Sequence, residues 1–131
     1  MCGIFGAIAQ NKNLFWSKEI LLNAFNLISH RGPDSSNYKN GDDYFLGHKR
    51  LSIIDLSENG SQPLCSNDNK VKIVFSGEIY NYKELKKNLV FYDYRSQSDT
   101  EVILAGYLIE GISFLKKLRG MYAFCTAILA L

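Results

Sequence analysis

The sequence predicts an α+β domain in which sheets and helices form separate layers. The predicted strands and helices alternate irregularly, and several strands follow one another without the crossover helix that a parallel sheet requires. The chain has 131 residues, of which 47% are hydrophobic and 21% are charged. That composition is typical of a soluble globular protein, and the length allows one domain with a real core.

The first half of the chain predicts two strand regions separated by a helix. Residues 2–9, "CGIFGAIA", form an apolar run that predicts a buried strand. Ser17 is an expected N-cap, and the helix after it carries apolar residues at helical spacing: Leu21, Phe25 and Ile28. "RGPD" (31–34) ends this helix with glycine and proline. Residues 44–55 are rich in aromatic and β-branched residues, which predicts one or two strands.

The second half predicts two further strands around a helical region. Residues 71–76, "VKIVFS", and the final run 121–131 are the expected strands. Between them we expect a short helix over 82–89. The capping box "SDTE" (98–101) starts a longer helix that ends near Gly111, and "SFLKKLRG" adds another helical turn.

Charge and cysteine spacing exclude several classes of function. A net charge of +2 is too small and too scattered to indicate a nucleic-acid or membrane partner. The start lacks the basic region of a signal peptide, so we expect a cytoplasmic protein without a membrane span. Three dispersed cysteines predict neither a disulfide framework nor a metal site, and Cys65 and Cys125 are interpreted as small, partly buried hydrophobic residues.

Three residues in structured segments have both a structural and a functional interpretation, and two histidines have a structural one. Arg50 is either a surface arginine or a rigid fork for a carboxylate. Gly77 in "FSGEIYN" either supplies positive φ to a turn or exposes its N–H to a developing oxyanion. Asp99 caps a helix or accepts from an ammonium group. His30 and His48 are interpreted as hydrogen-bonded structural residues.

Cys2 is the residue with the sharpest functional interpretation. If Met1 is removed, Cys2 carries a thiol and an α-amine on one carbon. An α-amine has a pKa of roughly 7.7–8.0 and is partly unprotonated at neutral pH, so it can act as a base. A thiol next to a base is an activated nucleophile.

The order of these motifs resembles a known family. "MCGIFG", "RGPD", "HKRLSIIDL", "QPL", "FSGEIYN" and "SDTEVILAGY" are similar, in this order, to the glutaminase domains of the asparagine synthase branch of class II glutamine amidotransferases, which are N-terminal nucleophile hydrolases. The resemblance covers residues 2 to about 125. It implies a four-layer αββα sandwich. It also implies that the chain, 1–131, is a C-terminally truncated amidotransferase type-2 domain without its synthetase domain.

The resemblance implies a role for each matching residue in glutamine hydrolysis. Cys2 would be the nucleophile that forms a thioester, and its freed α-amine the general base. Gly77 would donate its N–H to the oxyanion. Where the family has an asparagine amide as the second oxyanion donor, this chain has Ser76, whose shorter hydroxyl must rotate to donate.

The resemblance also implies a binding site for the zwitterion of L-glutamine. Arg50 would hold the α-carboxylate, and Asp99, with Glu78 nearby, would accept from the α-ammonium. Leu51 and Ile53 would line the pocket.

Cofactors, partners and alternatives follow from the same resemblance. No cofactor is expected in this chain, whereas ATP and Mg²⁺ would serve the missing synthetase domain in amidating aspartate to asparagine. A homodimer is a further partner to consider. Two alternatives stay open: a non-catalytic glutamine-binding remnant, and an amidotransferase module whose acceptor is a sugar acid or a cell-wall precursor.

Overall fold

Two antiparallel sheets and three α-helices make up the described part of the chain. The structure is a computed structural model that describes residues 2–9, 16–52 and 57–128. The strands are β1 Gly3–Ile8, β2 Ser35–Asn40, β3 Tyr44–Arg50, β4 Leu64–Cys65, β5 Val71–Ile79 and β6 Gly120–Ile128. The α-helices are α1 Lys18–Asn26, α2 Tyr82–Asn88 and α3 Asp99–Glu110. Short 3-10 helices span Ser29–Arg31, Glu58–Gly60 and Gly111–Lys117.

Each sheet has three strands, and its central strand carries residues of the predicted site. The first sheet has the order β1-β3-β2 and the second the order β4-β5-β6. Gly3 lies opposite Lys49 in the first sheet, so the register brings Cys2, just before β1, to the end of β3 at Arg50. β5 is the central strand of the second sheet and contains Gly77.

The layers are held by three hydrophobic clusters. Side chains of β3 alternate between two of them: Phe45 packs towards α1, and Leu46 packs between the sheets. The cluster under α1 contains Leu21, Phe25 and Phe45, with Phe5 packed against it. The cluster between the sheets contains Tyr44, Leu46, Val74 and Ala127. The third, between the second sheet and α2 and α3, includes Ile73, Phe75, Leu85, Ile103, Leu104 and Phe114. The arrangement is helix, sheet, sheet, helix, as the predicted αββα sandwich requires.

Capping signals located the starts of α1 and α3 correctly, whereas α1 ends at Asn26, before Ile28 and before the "RGPD" at which its end was predicted. Ser17 Oγ accepts from the Ile20 N–H at 3.4 Å, and Ser98 Oγ accepts from the Glu101 N–H at 3.3 Å. Gly111 ends α3 with φ +66°, a conformation that glycine adopts at little cost.

The predictions for β1, β2 and β5 need correction, and the two-residue strand β4 was not predicted. β1 is a strand, but only Gly3 in it is buried, because this edge strand keeps much of its surface open. β2 was not predicted, since "SSNYKN" is polar and almost wholly exposed and shows no apolar alternation. β5 continues past residue 76 to Ile79, so Gly77 lies within a strand and not in a turn.

Candidate active site

One cavity of about 210 Å³ brings together most of the predicted site residues. Six of them line it: Cys2, Arg50, Leu51, Gly77, Glu78 and Asp99. Ser76 lies next to this cavity and contacts Cys2. Ile53 and Met1 lie outside the described residues, so their predicted roles stay predictions.

The Cys2 thiol rests on the backbone of Leu51. The Leu51 N–H donates to Cys2 Sγ at 3.3 Å, and the Cys2 S–H donates to the Leu51 carbonyl oxygen at 3.4 Å. The predicted contact of Leu51 with the pocket is therefore made through its main chain, next to the nucleophile.

The carbonyl of Cys2 accepts two hydrogen bonds. Ser76 Oγ donates to it at 2.7 Å, and Arg31 Nε donates to it at 3.3 Å. A serine hydroxyl has one proton. In this structure, therefore, the proton of Ser76 is directed at the main chain of the nucleophile, and donation to an oxyanion would require it to rotate.

Arg50 is buried at the end of β3, with 6% of its surface exposed. One of its terminal nitrogens donates to Ser61 Oγ at 3.3 Å, and Ser61 Oγ donates to Glu58 Oε2 at 3.2 Å. The interpretation of Arg50 as a surface arginine is wrong. A buried guanidinium facing a cavity is suited to a carboxylate.

The "RGPD" segment fixes the strand end that carries Arg50. A Cβ on Gly32 would lie 2.1 Å from the Lys49 carbonyl oxygen, so only glycine lets this segment approach β3. The Asp34 N–H donates to the Arg50 carbonyl at 3.0 Å, and Asp34 Oδ2 accepts from the Ser52 N–H at 2.7 Å. In the sequence this motif indicates a helix end and forms part of the resemblance, but it does not predict the contact with β3.

The N–H of Gly77 points towards the cavity. The N–H groups of Phe75 and Ile79 donate to side chains outside β6: to Gln62 Oε1 at 2.6 Å and to Asp99 Oδ2 at 3.0 Å. N–H groups two residues apart on a strand face the same way, so that of Gly77 faces the side on which Gln62 and Asp99 lie. Gly77 has φ +148°, and a Cβ there would lie 2.2 Å from the Met121 carbonyl oxygen.

Asp99 is the buried anion of the site. It opens α3, with 5% of its surface exposed, and accepts from the Ile79 N–H. Burial raises the pKa of its carboxyl, and the charge of Glu78 adds to this, while backbone N–H donors oppose it. Glu78 itself is exposed at the rim, so its predicted place near Asp99 agrees with the structure.

His48 differs from the prediction. It is almost fully buried and lines the cavity, yet neither ring nitrogen has a hydrogen-bond partner of normal geometry among the described residues. Burial lowers the pKa of the ring to about 4, and the Phe75 backbone offsets only part of this effect. His30 is exposed, and its Nδ1 lies 3.2 Å from the Leu27 carbonyl oxygen.

Two lining residues, Gln62 and Thr100, were not predicted as site residues. Gln62 belongs to the "QPL" motif, which the resemblance singled out without giving it a role. Thr100 follows Asp99 in the capping segment, where its structural role hid its place in the cavity. Both are polar residues that a single sequence gives no reason to bury.

Within residues 2–9, 16–52 and 57–128, no helix is long and apolar enough to cross a bilayer. In the same ranges, no group of three or more His, Cys, Asp or Glu side chains could hold a metal ion. Cys65 is buried and Cys125 half-buried, as predicted, and neither lines the cavity.

A cavity with a cysteine thiol, a buried cation, a buried anion and an inward N–H defines a candidate amide-hydrolysing site on an αββα sandwich. Residues 1–127 match the family model of the glutamine amidotransferase domain. The chain therefore belongs to the family of glutamine amidotransferase domains.

Curated relatives narrow this family membership. The chain is 43% identical over 131 residues to asparagine synthetase (glutamine-hydrolyzing) 1 of Bacillus subtilis and 38% identical over 125 residues to asparagine synthetase (glutamine-hydrolyzing) 1 of Arabidopsis thaliana. These matches cover 95% of this chain and 20% and 21% of the relatives. The chain thus spans about a fifth of the length of these relatives.

A solved structure supports the fold. Glutamine phosphoribosylpyrophosphate amidotransferase from B. subtilis, complexed with ADP and GMP, superposes with a TM-score of 0.72 at 20% identity. The match covers 97% of this chain and 34% of that one. At this identity the likeness concerns the fold alone, and it agrees with the predicted sandwich.

Proposed function

We propose that the chain hydrolyses L-glutamine to glutamate and ammonia through a thioester on Cys2. One observation supports this above the others: the Cys2 thiol, a buried cation and a buried anion line the same cavity. A zwitterionic amino acid needs one cation and one anion to bind. Its side-chain amide then needs a nucleophile.

In the proposed first half-reaction, the thiol proton of Cys2 passes to the α-amine that removal of Met1 frees. The sulfur bonds to the amide carbon, and the carbonyl π electrons move to oxygen, which the Gly77 N–H stabilises. The oxyanion then re-forms the carbonyl, the C–N bond breaks and the leaving nitrogen takes the proton from the amine. Ammonia departs and a γ-glutamyl thioester remains.

In the second half-reaction, water attacks the thioester with the α-amine of Cys2 as base. The C–S bond breaks, the thiol is regenerated and glutamate leaves. The Leu51 N–H, 3.3 Å from Sγ, would help to hold the sulfur in place in both half-reactions. Arg50 and Asp99 would hold the α-carboxylate and α-ammonium throughout.

We further propose that the ammonia serves the amidation of aspartate to asparagine. The support is the similarity to relatives named as glutamine-hydrolyzing asparagine synthetases. Residues 1–131 would be part of the amidotransferase domain. ATP and Mg²⁺ would belong to a synthetase domain outside this chain, so no step here passes through them. A homodimer and a cytoplasmic location stay predictions.

A non-catalytic glutamine-binding domain is the second candidate. One observation favours it: the residue that the family resemblance makes an asparagine is Ser76, and its hydroxyl donates to the Cys2 carbonyl. Such a domain would keep Arg50 and Asp99 and bind glutamine without turnover.

Release of glutamate and ammonia from L-glutamine separates these two functions. We expect turnover by the unmodified chain after Met1 removal, and its loss in Cys2→Ala with glutamine binding largely kept, because binding depends on Arg50 and Asp99. Cys125→Ala, a change in a half-buried thiol outside the cavity, is the matched control. Binding without turnover would support the second candidate. An active preparation that retains Met1 would contradict the role of the α-amine.

A further inference from the structure

Gln62 joins the two elements that carry opposite parts of the proposed site. Its Oε1 accepts from the Phe75 N–H of β5 at 2.6 Å, and its Nε2 donates to Thr100 Oγ1 in the first turn of α3 at 3.1 Å. Gln62 and Thr100 are both buried and both line the cavity. The bridge therefore connects strand to helix at the wall of the cavity.

A second bridge joins the same elements further along β5. Asp99 Oδ2 accepts from the Ile79 N–H at 3.0 Å. Phe75 and Ile79 lie two residues on either side of Gly77. The inward N–H of Gly77 is thus framed by two side-chain bridges to the start of α3, and one of these bridges is made by Asp99 itself.

We propose that Gln62 is a positioning residue that fixes the spacing between the Gly77 N–H and the Asp99 carboxylate, and so selects the length of the amino-acid amide. This inference rests on the proposed function, which places the amide carbonyl at Gly77 and the α-ammonium at Asp99. Two anchors at a fixed separation favour glutamine over asparagine, which is one methylene shorter. Anchors that can shift relative to each other accept both.

The chemistry of the bridge requires an amide. An amide accepts through oxygen and donates through nitrogen at the same time, which matches an N–H on one side and a hydroxyl oxygen on the other. A carboxylate would lose the donor and place a second negative charge beside Asp99. An apolar side chain would leave the buried Phe75 N–H without its acceptor.

Thr100→Val tests the bridge with little change in shape, because it removes only the hydroxyl that accepts from Gln62. Thr100→Ser keeps that hydroxyl and is the matched rescue variant. Both changes are made in the Cys2→Ala chain, so that calorimetry measures dissociation constants for L-glutamine and L-asparagine without turnover. The readout is the ratio of the two constants, with the melting temperature measured in parallel.

We expect Thr100→Val to lower the preference for glutamine about tenfold, the effect of one lost hydrogen bond to a buried group. Thr100→Ser should restore most of the preference. An unchanged ratio with a lower melting temperature would make the bridge purely structural and overturn the inference. Absence of glutamine binding in Cys2→Ala alone would instead contradict the proposed function. If Thr100→Val does not fold, the ratio of the dissociation constants for L-glutamine and L-asparagine is measured in Gln62→Glu. We expect the same fall in the preference for glutamine there, and an unchanged ratio would overturn the inference.

Discussion

Two sets of groups around the cavity act through different parts of the chain. The main-chain set comprises the N–H groups of Leu51 and Gly77, which lie at the same cavity as the Cys2 thiol. The ionic set comprises the side chains of Arg50 and Asp99. Strand register positions the first set, whereas the second set consists of two charged side chains that the fold buries. The sequence marks Arg50 and Asp99 as candidates by residue type and by the motifs around them, whereas the fold shows on which side of β5 the Gly77 N–H lies.

The two sets differ in their cost to the fold. Backbone N–H groups in strands are normal components of a stable sheet. A buried carboxylate loses hydration, and the raised pKa of Asp99 is the sign of that loss. We therefore expect substitutions in the ionic set to weaken glutamine binding while raising the stability of the fold. Substitutions near the main-chain set should change the rate of hydrolysis.

Lowering the pH should destabilise the fold through His48, which lies next to Arg50 of the ionic set. The folded pKa is about 4 and the ordinary value is 6.5, so the unfolded state binds the proton more readily. The part of the free energy of unfolding that depends on a neutral His48 ring is fully present above about pH 6.5. It falls by up to about 3 kcal/mol as the pH decreases towards 4. Chemical denaturation from pH 7 to 4 should show this loss, and His48→Gln should reduce it. Exposed His30→Asn should leave it unchanged, and an equal loss in His48→Gln would contradict the assignment.

Ser76 tests the main-chain set. Whether its hydroxyl rotates to the oxyanion or holds the Cys2 carbonyl, Ser76→Ala should lower kcat roughly 10²-fold, about 2.7 kcal/mol, with little change in KM. Ser76→Thr keeps the hydroxyl and should retain most of the rate. If Ser76 is instead a poor substitute for an amide donor, Ser76→Asn should raise kcat. Steady-state kinetics that show no change in either Ser76→Ala or Ser76→Asn would remove this residue from the mechanism.

Arg50→Lys tests the ionic set by keeping the charge and removing the fork. A lysine ammonium cannot bind a carboxylate through two parallel hydrogen bonds. The dissociation constant for glutamine, measured in Cys2→Ala, should rise about tenfold to thirtyfold, or about 1.4–2 kcal/mol. Arg119→Lys, at an exposed position outside the cavity, should not change it. Normal glutamine binding by Arg50→Lys would show that the guanidinium is not the carboxylate anchor.

Asp99→Asn should separate binding from stability. Because the folded pKa is raised, the carboxyl contributes most to stability at low pH, and this contribution is lost as pH rises through the folded pKa. At pH 7 the neutral amide, whose oxygen can still accept from the Ile79 N–H, should raise the stability by about 1 kcal/mol. Glutamine binding should be lost. A lower melting temperature at pH 7 would contradict this account of the buried charge.

Much of the fold follows from local signals, and the site follows less completely. The caps at Ser17 and Ser98 and the apolar runs of β3 and β5 are local, so the sequence predicts them. Strand β2 has no apolar face, and its pairing with β3 is a long-range event. For the same reason the sequence could not show that the hydroxyl of Ser76 contacts a residue 74 positions away.

The residues missed in the cavity share one property. Gln62, Thr100 and His48 are polar side chains buried by tertiary packing, and although each lies in a motif of the resemblance, no local signal predicts its burial. The roles of the charged residues Arg50 and Asp99 were assigned because their motifs resemble a family. The structure adds that both side chains line the same cavity. Residue type identified the candidates, and the pairing of strands with α3 determined which of them meet.

Whether Cys2 is the nucleophile of a glutamine site can be measured by the intact mass of the chain after incubation with a glutamine analogue that carries an electrophilic side chain. We predict one adduct, located on Cys2 by peptide mapping, and we expect excess L-glutamine to prevent its formation. We also predict no adduct on Cys65 or Cys125, which lie outside the cavity. Glutamine that binds while Cys2 stays unmodified, or an adduct that L-glutamine does not suppress, would contradict the assignment of Cys2 as the nucleophile of a glutamine site.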